Sequence, residues 1–162
     1  MKILAIDPGN IESAYVILDD TLKPLEFSKE SNVTLIEKIY SGHFKGVTHI
    51  AIEMIASYGM PVGKEVFETC VWIGKFEEAL HNENFPGVQY IYRKDEKLNL
   101  CCSSKAKDSN VIQALKDRFG DKGTKKNPGW FFGFAKDVWQ AYAVGVTYAD
   151  VLNGDYELKE GD

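Results

Sequence analysis

The sequence predicts an α/β domain built on a mixed sheet. Three observations carry that reading: an apolar strand opens the chain, two β-rich runs follow closely, and strands then alternate with helices. Residues 2–6 are strongly apolar, as in a buried strand, and Asp7-Pro8-Gly9 closes them with a turn. Residues 14–18 form a second strand ended by Asp19-Asp20, and residues 25–27 begin a third. Helical spacing at Leu35, Ile36, Ile39 and Tyr40 predicts a helix over 33–40, behind Ser31 and Asn32 as caps. Residues 49–55, HIAIEMI, read as a buried strand with one carboxylate, Glu53, in its middle. A long amphipathic helix is predicted over 64–80, a strand over 89–92 and another over 98–102. Residues 108–119 place Val111, Ile112, Leu115 and Phe119 on one helical face and stop at Gly120. A loop rich in Gly, Lys and aromatics fills 120–135, and 137–152 is the last helix. No repeat or linker divides the chain, so 1–153 reads as one domain and 154–162 as an acidic tail expected to fray.

Composition bounds the class. The 162 residues are 44% hydrophobic and 12% aromatic, enough to bury a core and to exclude global disorder. No apolar run approaches the ~18 residues that span a bilayer, so a membrane partner is not expected. The opening MKILAIDPG carries an acid where a signal peptide needs an unbroken apolar stretch. Three cysteines without framework spacing favour a reducing compartment, so the expected setting is the cytoplasm. The formal charge of -5 argues at first against a nucleic-acid partner. That charge is unevenly spread: residues 91–136 hold eleven Lys or Arg against five Asp or Glu. A local positive field of that kind can recruit a polyanion while the remainder stays acidic; equally, it can be a set of solvated lysines.

Three acids stand out. Asp7 ends an apolar strand, Glu53 sits inside one, and Asp137 opens an apolar helix. A carboxylate in such surroundings costs desolvation energy unless a cation or donor compensates it. Asp7 alone reads well as a cap of the Pro8-Gly9 turn. Three such acids together point to a shared divalent metal, because hard oxygen ligands suit Mg²⁺ or Mn²⁺.

Four stretches resemble the RuvC family of Holliday-junction resolvases. IDPG at 6–9 is similar to its first motif and AIEMI at 51–55 to its second acidic motif. SSKAKDSNVIQALKDRF at 103–119 resembles its basic loop and following helix, and AKDVWQAYAVGVTYAD at 135–150 its C-terminal helix. The order of the motifs covers nearly the whole chain, and the form is nearest to the phage and prophage proteins. The resemblance implies a ribonuclease H-like fold, a five-stranded mixed sheet flanked by helices. It further implies a homodimer that cuts four-way or branched DNA with two Mg²⁺ or Mn²⁺ ions per site, leaving a 5′-phosphate and a 3′-hydroxyl. On that basis Asp7 bridges both ions, Glu53 serves one, and Asp137 with Gln140 serves the other. Two ions roughly 4 Å apart would activate water and stabilise the leaving oxygen.

One departure matters. The family usually carries a second acid three residues after the first in its last helix, and here that position is Gln140. Positions three apart share a helix face, so Gln140 still points toward the site, without charge. An inactive junction-binding protein is therefore an alternative, as is a same-fold nuclease acting on other structured DNA or RNA. Around the site, Tyr58 falls in the loop where the family presents an aromatic to unstacked bases; otherwise it packs on the domain. Lys105 and Lys107 are expected to contact phosphate. Lys122, Lys125 and Lys126 interleave with Trp130, Phe131, Phe132 and Phe134, a combination that tracks phosphates while stacking bases. Phe131 and Phe134 read instead as anchors on the core.

Overall fold

The computed structural model describes residues 1–159. Its elements in chain order are β1 (Ile3–Asp7), β2 (Glu12–Leu18), β3 (Pro24–Ser31), α1 (Asn32–Tyr40), β4 (His49–Met54), α2 (Lys64–Asn82), β5 (Val88–Tyr92), α3 (Arg93–Cys101), α4 (Asp108–Phe119) and α5 (Val138–Asn153). The five strands form one mixed sheet in the order β3-β2-β1-β4-β5. β1, β2 and β3 pair antiparallel, whereas β1–β4 and β4–β5 pair parallel.

Side-chain alternation divides the sheet into two packed faces. Leu4, Ile6, Tyr15, Ile17, Ile50 and Ile52 face α1 and α2, meeting Leu35, Ile39, Ile73 and Phe76. Ile3, Ala5, Ala14, Val16, Ala51 and Ile91 face the other way, against α5 and the helices and loop around it. α5 is buried along nearly its whole length, from Val138 to Asp150, so it reads as apolar rather than amphipathic. It lies close on the sheet: a Cβ at Gly145 would stand 2.6 Å from Leu18 Cδ1 and 3.1 Å from Ala5 Cβ. Among the described residues no helix is long and apolar enough to cross a membrane.

The α/β mixed sheet is as read from the sequence, with two differences. Residues 98–102 are not a strand; 98–101 belong to α3, which begins directly at the end of β5, and Cys102 caps it. This helix is hard to see because it buries Asp95 and Glu96 and leaves its leucines half-buried, inverting the usual pattern. The described part of the acidic tail also lies against the domain. Tyr156 Oη and the Lys159 N–H both donate to Asp95 Oδ1 at 2.8 Å, and Leu158 packs on the core. Residues 160–162 lie outside the described residues.

Candidate active site

The parallel pairing of β1 with β4 brings two of the predicted acids together. Ile6 is level with Ile52, so the next residues, Asp7 and Glu53, stand side by side on the α5 face at the carboxyl ends of adjacent strands. Their carboxyls hydrogen-bond to one another. The turn after Asp7 is fixed by a small polar net: Gly9 N donates to Ser13 Oγ at 3.1 Å, Ser13 Oγ to Asn32 Oδ1 at 2.6 Å, and Asn32 Nδ2 to Gly9 O at 2.9 Å. No side chain fits at Gly9, where a Cβ would meet Glu12 O at 2.3 Å.

Asp137 sits immediately before α5, close enough to act electrostatically on both carboxyls. Its own partner is Lys29, whose Nζ lies 2.6 Å from Asp137 Oδ2. Lys29 is level with Ala14, which is level with Asp7, so one sheet row carries the lysine, a small spacer and the acid. Gln140 is drawn in from the next turn, but its amide oxygen accepts from Arg93 Nη1.

Arg93 is not a residue that the sequence singles out, yet it stands at the centre of this group. It is two residues beyond Ile91, which is level with Glu53. Besides Gln140, its Nη1 donates to Glu96 Oε2 at 3.0 Å, and its Nη2 donates to Asp108 Oδ1 at the start of α4. Glu96 is fully buried, and its Oε1 has no hydrogen-bond partner among the described residues. The signal that could have exposed Arg93 is positional. Residues just past the carboxyl ends of parallel strands converge in α/β folds, and Arg93 occupies such a place beside β4.

Burial governs the electrostatics here. Desolvation pushes the Asp7 carboxyl well up, and repulsion from neighbouring Glu53 and then Asp137 adds to it, against some relief from Arg93. Glu53 is raised too, chiefly by burial, with Arg93 opposing. Glu96 is also pushed well up by burial and by Glu53. Arg93 is itself desolvated, yet Glu96, Glu53 and Asp108 outweigh that loss and raise it further, so it stays a cation at all ordinary pH.

The outer residues fall into separate groups. Tyr58 is 50% exposed with its backbone in the left-handed region, and its hydroxyl accepts from the Lys94 backbone N–H. It lines an open cleft of about 340 Å³ with Arg93, Lys94, Lys97 and Ser104. Lys105 and Lys107 are exposed on the segment entering α4, one to three residues before Asp108. Lys122, Lys125 and Lys126 sit on a different loop, closed by the Gly123–Pro128 bridge and not lining the cleft. That loop is pinned by its aromatics: Phe131 and Phe134 are buried, and Trp130 stacks on Phe119 while donating to Tyr142 Oη at 3.0 Å. Asp150 is far along α5 and takes two bonds from Arg118, at 2.8 Å each.

Among the described residues no three His, Cys, Asp or Glu side chains converge tightly enough to hold an ion as they stand. The donor chemistry nevertheless fits a hard divalent cation at Asp7 and Glu53, since two desolvated oxygen donors side by side repel each other and Arg93 offsets them only in part. The Asp137–Gln140 side is different, because Lys29 and Arg93 already hold those oxygens.

No protein-family model and no curated protein matches the chain. Among solved structures, Thermus thermophilus RuvC matches with a TM-score of 0.69, at 16% identity over 95% of this chain and 97% of that one. T. thermophilus RuvC in complex with a Holliday junction substrate matches with a TM-score of 0.71, at 16% identity over 96% of each chain. The likeness is one of fold: the chain has the five-stranded ribonuclease H-like fold of RuvC from end to end.

Proposed function

We propose that this chain, sharing the RuvC fold, is a divalent-metal-dependent endonuclease that cuts four-way or branched DNA as a homodimer in the cytoplasm. The observation that carries the reading is the hydrogen-bonded Asp7–Glu53 pair at the carboxyl ends of β1 and β4, with Asp137 beside it. Asp7 and Glu53 would hold Mg²⁺ or Mn²⁺, with Asp137 joining them on release from Lys29. A bound ion would supply charge to the phosphate and a more acidic water. The chain's own residues do the rest. The tight turn at Gly9 keeps the Asp7 carboxylate in place, and Arg93 and Lys29 offset phosphate charge. The reaction adds water across a P–O3′ bond: an oxygen–phosphorus bond forms, the P–O3′ bond breaks, and the 3′ oxygen leaves with a proton as a hydroxyl.

Lys97, Lys105 and Lys107 flank the cleft and would track the backbone, with Tyr58 at its mouth as a stacking surface. Lys122, Lys125 and Lys126 would extend the contact along the duplex arms. The dimer is supported by apolar residues left uncovered on α1 and α2, where Val33, Ile36, Tyr40, Val71 and Trp72 line a groove of about 550 Å³.

The test is a labelled four-way junction incubated with the protein and Mg²⁺ or Mn²⁺. Wild-type protein should cut it, and Asp7→Asn should bind it equally well while cutting about 10³-fold more slowly, a loss of several kcal/mol. Binding without cutting in either metal would leave a junction-binding protein instead. That second reading is favoured by one observation, the occupation of Asp137 and Gln140 by Lys29 and Arg93. Preference for flaps or structured RNA over the junction would move the substrate and keep the chemistry.

A further inference from the structure

Arg93 supplies a fixed positive charge within the group of acids that would bind metal. Its guanidinium is held by three acceptors from three helices: Glu96 of α3, Asp108 of α4 and Gln140 of α5. Glu96 is fully buried and has one oxygen without a partner among the described residues, so the anchor is kept at a cost in desolvation. Such an arrangement fits the positioning of an arginine better than it fits stability. The side chain is nevertheless 22% exposed, on the cleft it lines with Tyr58, Lys97 and Ser104. Gln140 completes the picture: at this position an amide oxygen can accept from the guanidinium without adding the charge that would recruit a second ion. An ion placed at Asp137 and Gln140 would lie against a cation that does not deprotonate and beside Lys29, which already holds the Asp137 carboxylate.

We propose that the centre takes one divalent cation, at Asp7 and Glu53, and that Arg93 stands in the place of a second, gripping the phosphate through its planar fork. This rests on the metal-dependent nuclease reading and specifies its machinery. The guanidinium suits the task because its N–H donors match two phosphate oxygens at once, which an ammonium group does not.

The decisive measurement is Mn²⁺ binding to the full chain, followed by titration and by electron paramagnetic resonance. Wild-type protein should bind one ion per chain with an uncoupled spectrum. The triple variant Arg93→Ala/Glu96→Gln/Gln140→Asp, which removes the arginine together with the buried charge it neutralises, should bind two ions that are magnetically coupled. Two ions in the wild-type protein, or one in both proteins, would overturn the inference and leave the nuclease reading standing. No ion and no cleavage would overturn the nuclease reading itself. Should the triple variant not fold, the wild-type count and the Arg93→Lys variant decide. Arg93→Lys should slow single-turnover cleavage by about 10²-fold, the loss expected on removing a preorganised donor, with junction affinity little changed. A full rate in Arg93→Lys would sink the proposed grip on phosphate.

Discussion

The two ends of α5 are tied to the same two helices by an arginine and a buried acid, and the ties are made to different standards. At the far end, Asp150 of α5 takes both arms of Arg118 of α4 at 2.8 Å and the Asn99 amide of α3 at 2.8 Å. Both of its oxygens are satisfied. At the near end, Arg93 and Glu96 of α3, Asp108 of α4 and Gln140 of α5 meet, but one Glu96 oxygen has no partner among the described residues and one guanidinium is divided among three acceptors. A closed ion pair of the first kind holds helices in place. The second kind holds a cation in readiness, at some expense in stability, beside the acids that would do chemistry.

The sharpest way to break this comparison is to remove each tie in turn. Arg118→Ala should cost about 3 kcal/mol in urea unfolding, the low end of the range for stripping a buried carboxylate of its partner, because Asn99 remains and Arg118 is partly exposed. An equal loss of cleavage in folded Arg118→Ala protein would erase the distinction between the ends. Glu96→Gln should be nearly neutral, within about 1 kcal/mol, because it removes a buried charge that is only half satisfied. Its pH signature is more telling. Burial raises the Glu96 carboxyl above its ordinary 4.5, so between that value and the folded one the native state binds a proton that the unfolded chain has lost. Stability of the metal-free protein therefore falls as pH rises through that window, and Glu96→Gln should flatten the slope. A steeper slope in the variant would mean that the Arg93 pairing outweighs burial and holds the Glu96 carboxyl down instead of up.

The smallest expected effect lies outside both ties. Lys105→Ala/Lys107→Ala should weaken junction binding and lower the salt slope by about two, one for each phosphate no longer neutralised. An unchanged slope would make these lysines bystanders and turn attention to Lys97 in the cleft.

Much of this is legible in the sequence, for stated reasons. Asp7 and Glu53 are visible because a charge inside an apolar strand is costly, and parallel register then brings them side by side. Phe131 and Phe134 declare themselves as core by the surrounding aromatics. Lys29 and Arg93 are not legible, since each is an ordinary basic residue until pairing puts it in line with an acid. Net charge misleads for a related reason. Of the basic residues in 91–136, Arg93 and Arg118 are ion-paired with internal acids, so the freely exposed positive charge of the stretch lies chiefly on its lysines. The short α3 hides because it buries its acids: Glu96 is held by Arg93 on the same helix, while the partners of Asp95 come from a distant part of the chain.

That distant part is the segment after Gly154. Asp95, two residues along α3 from Arg93, is capped by the Tyr156 hydroxyl and the Lys159 amide. The segment works as a clasp on the helix that aims the arginine, and the free energy that seats one also seats the other. Opening the clasp and loosening Arg93 should then be a single event, with the amides of 156–159 and of α3 exchanging hydrogen at a common rate. Separate rates would uncouple them. A common rate would mean that residues 156–159 against α3 set how long the candidate site around Arg93 stays assembled.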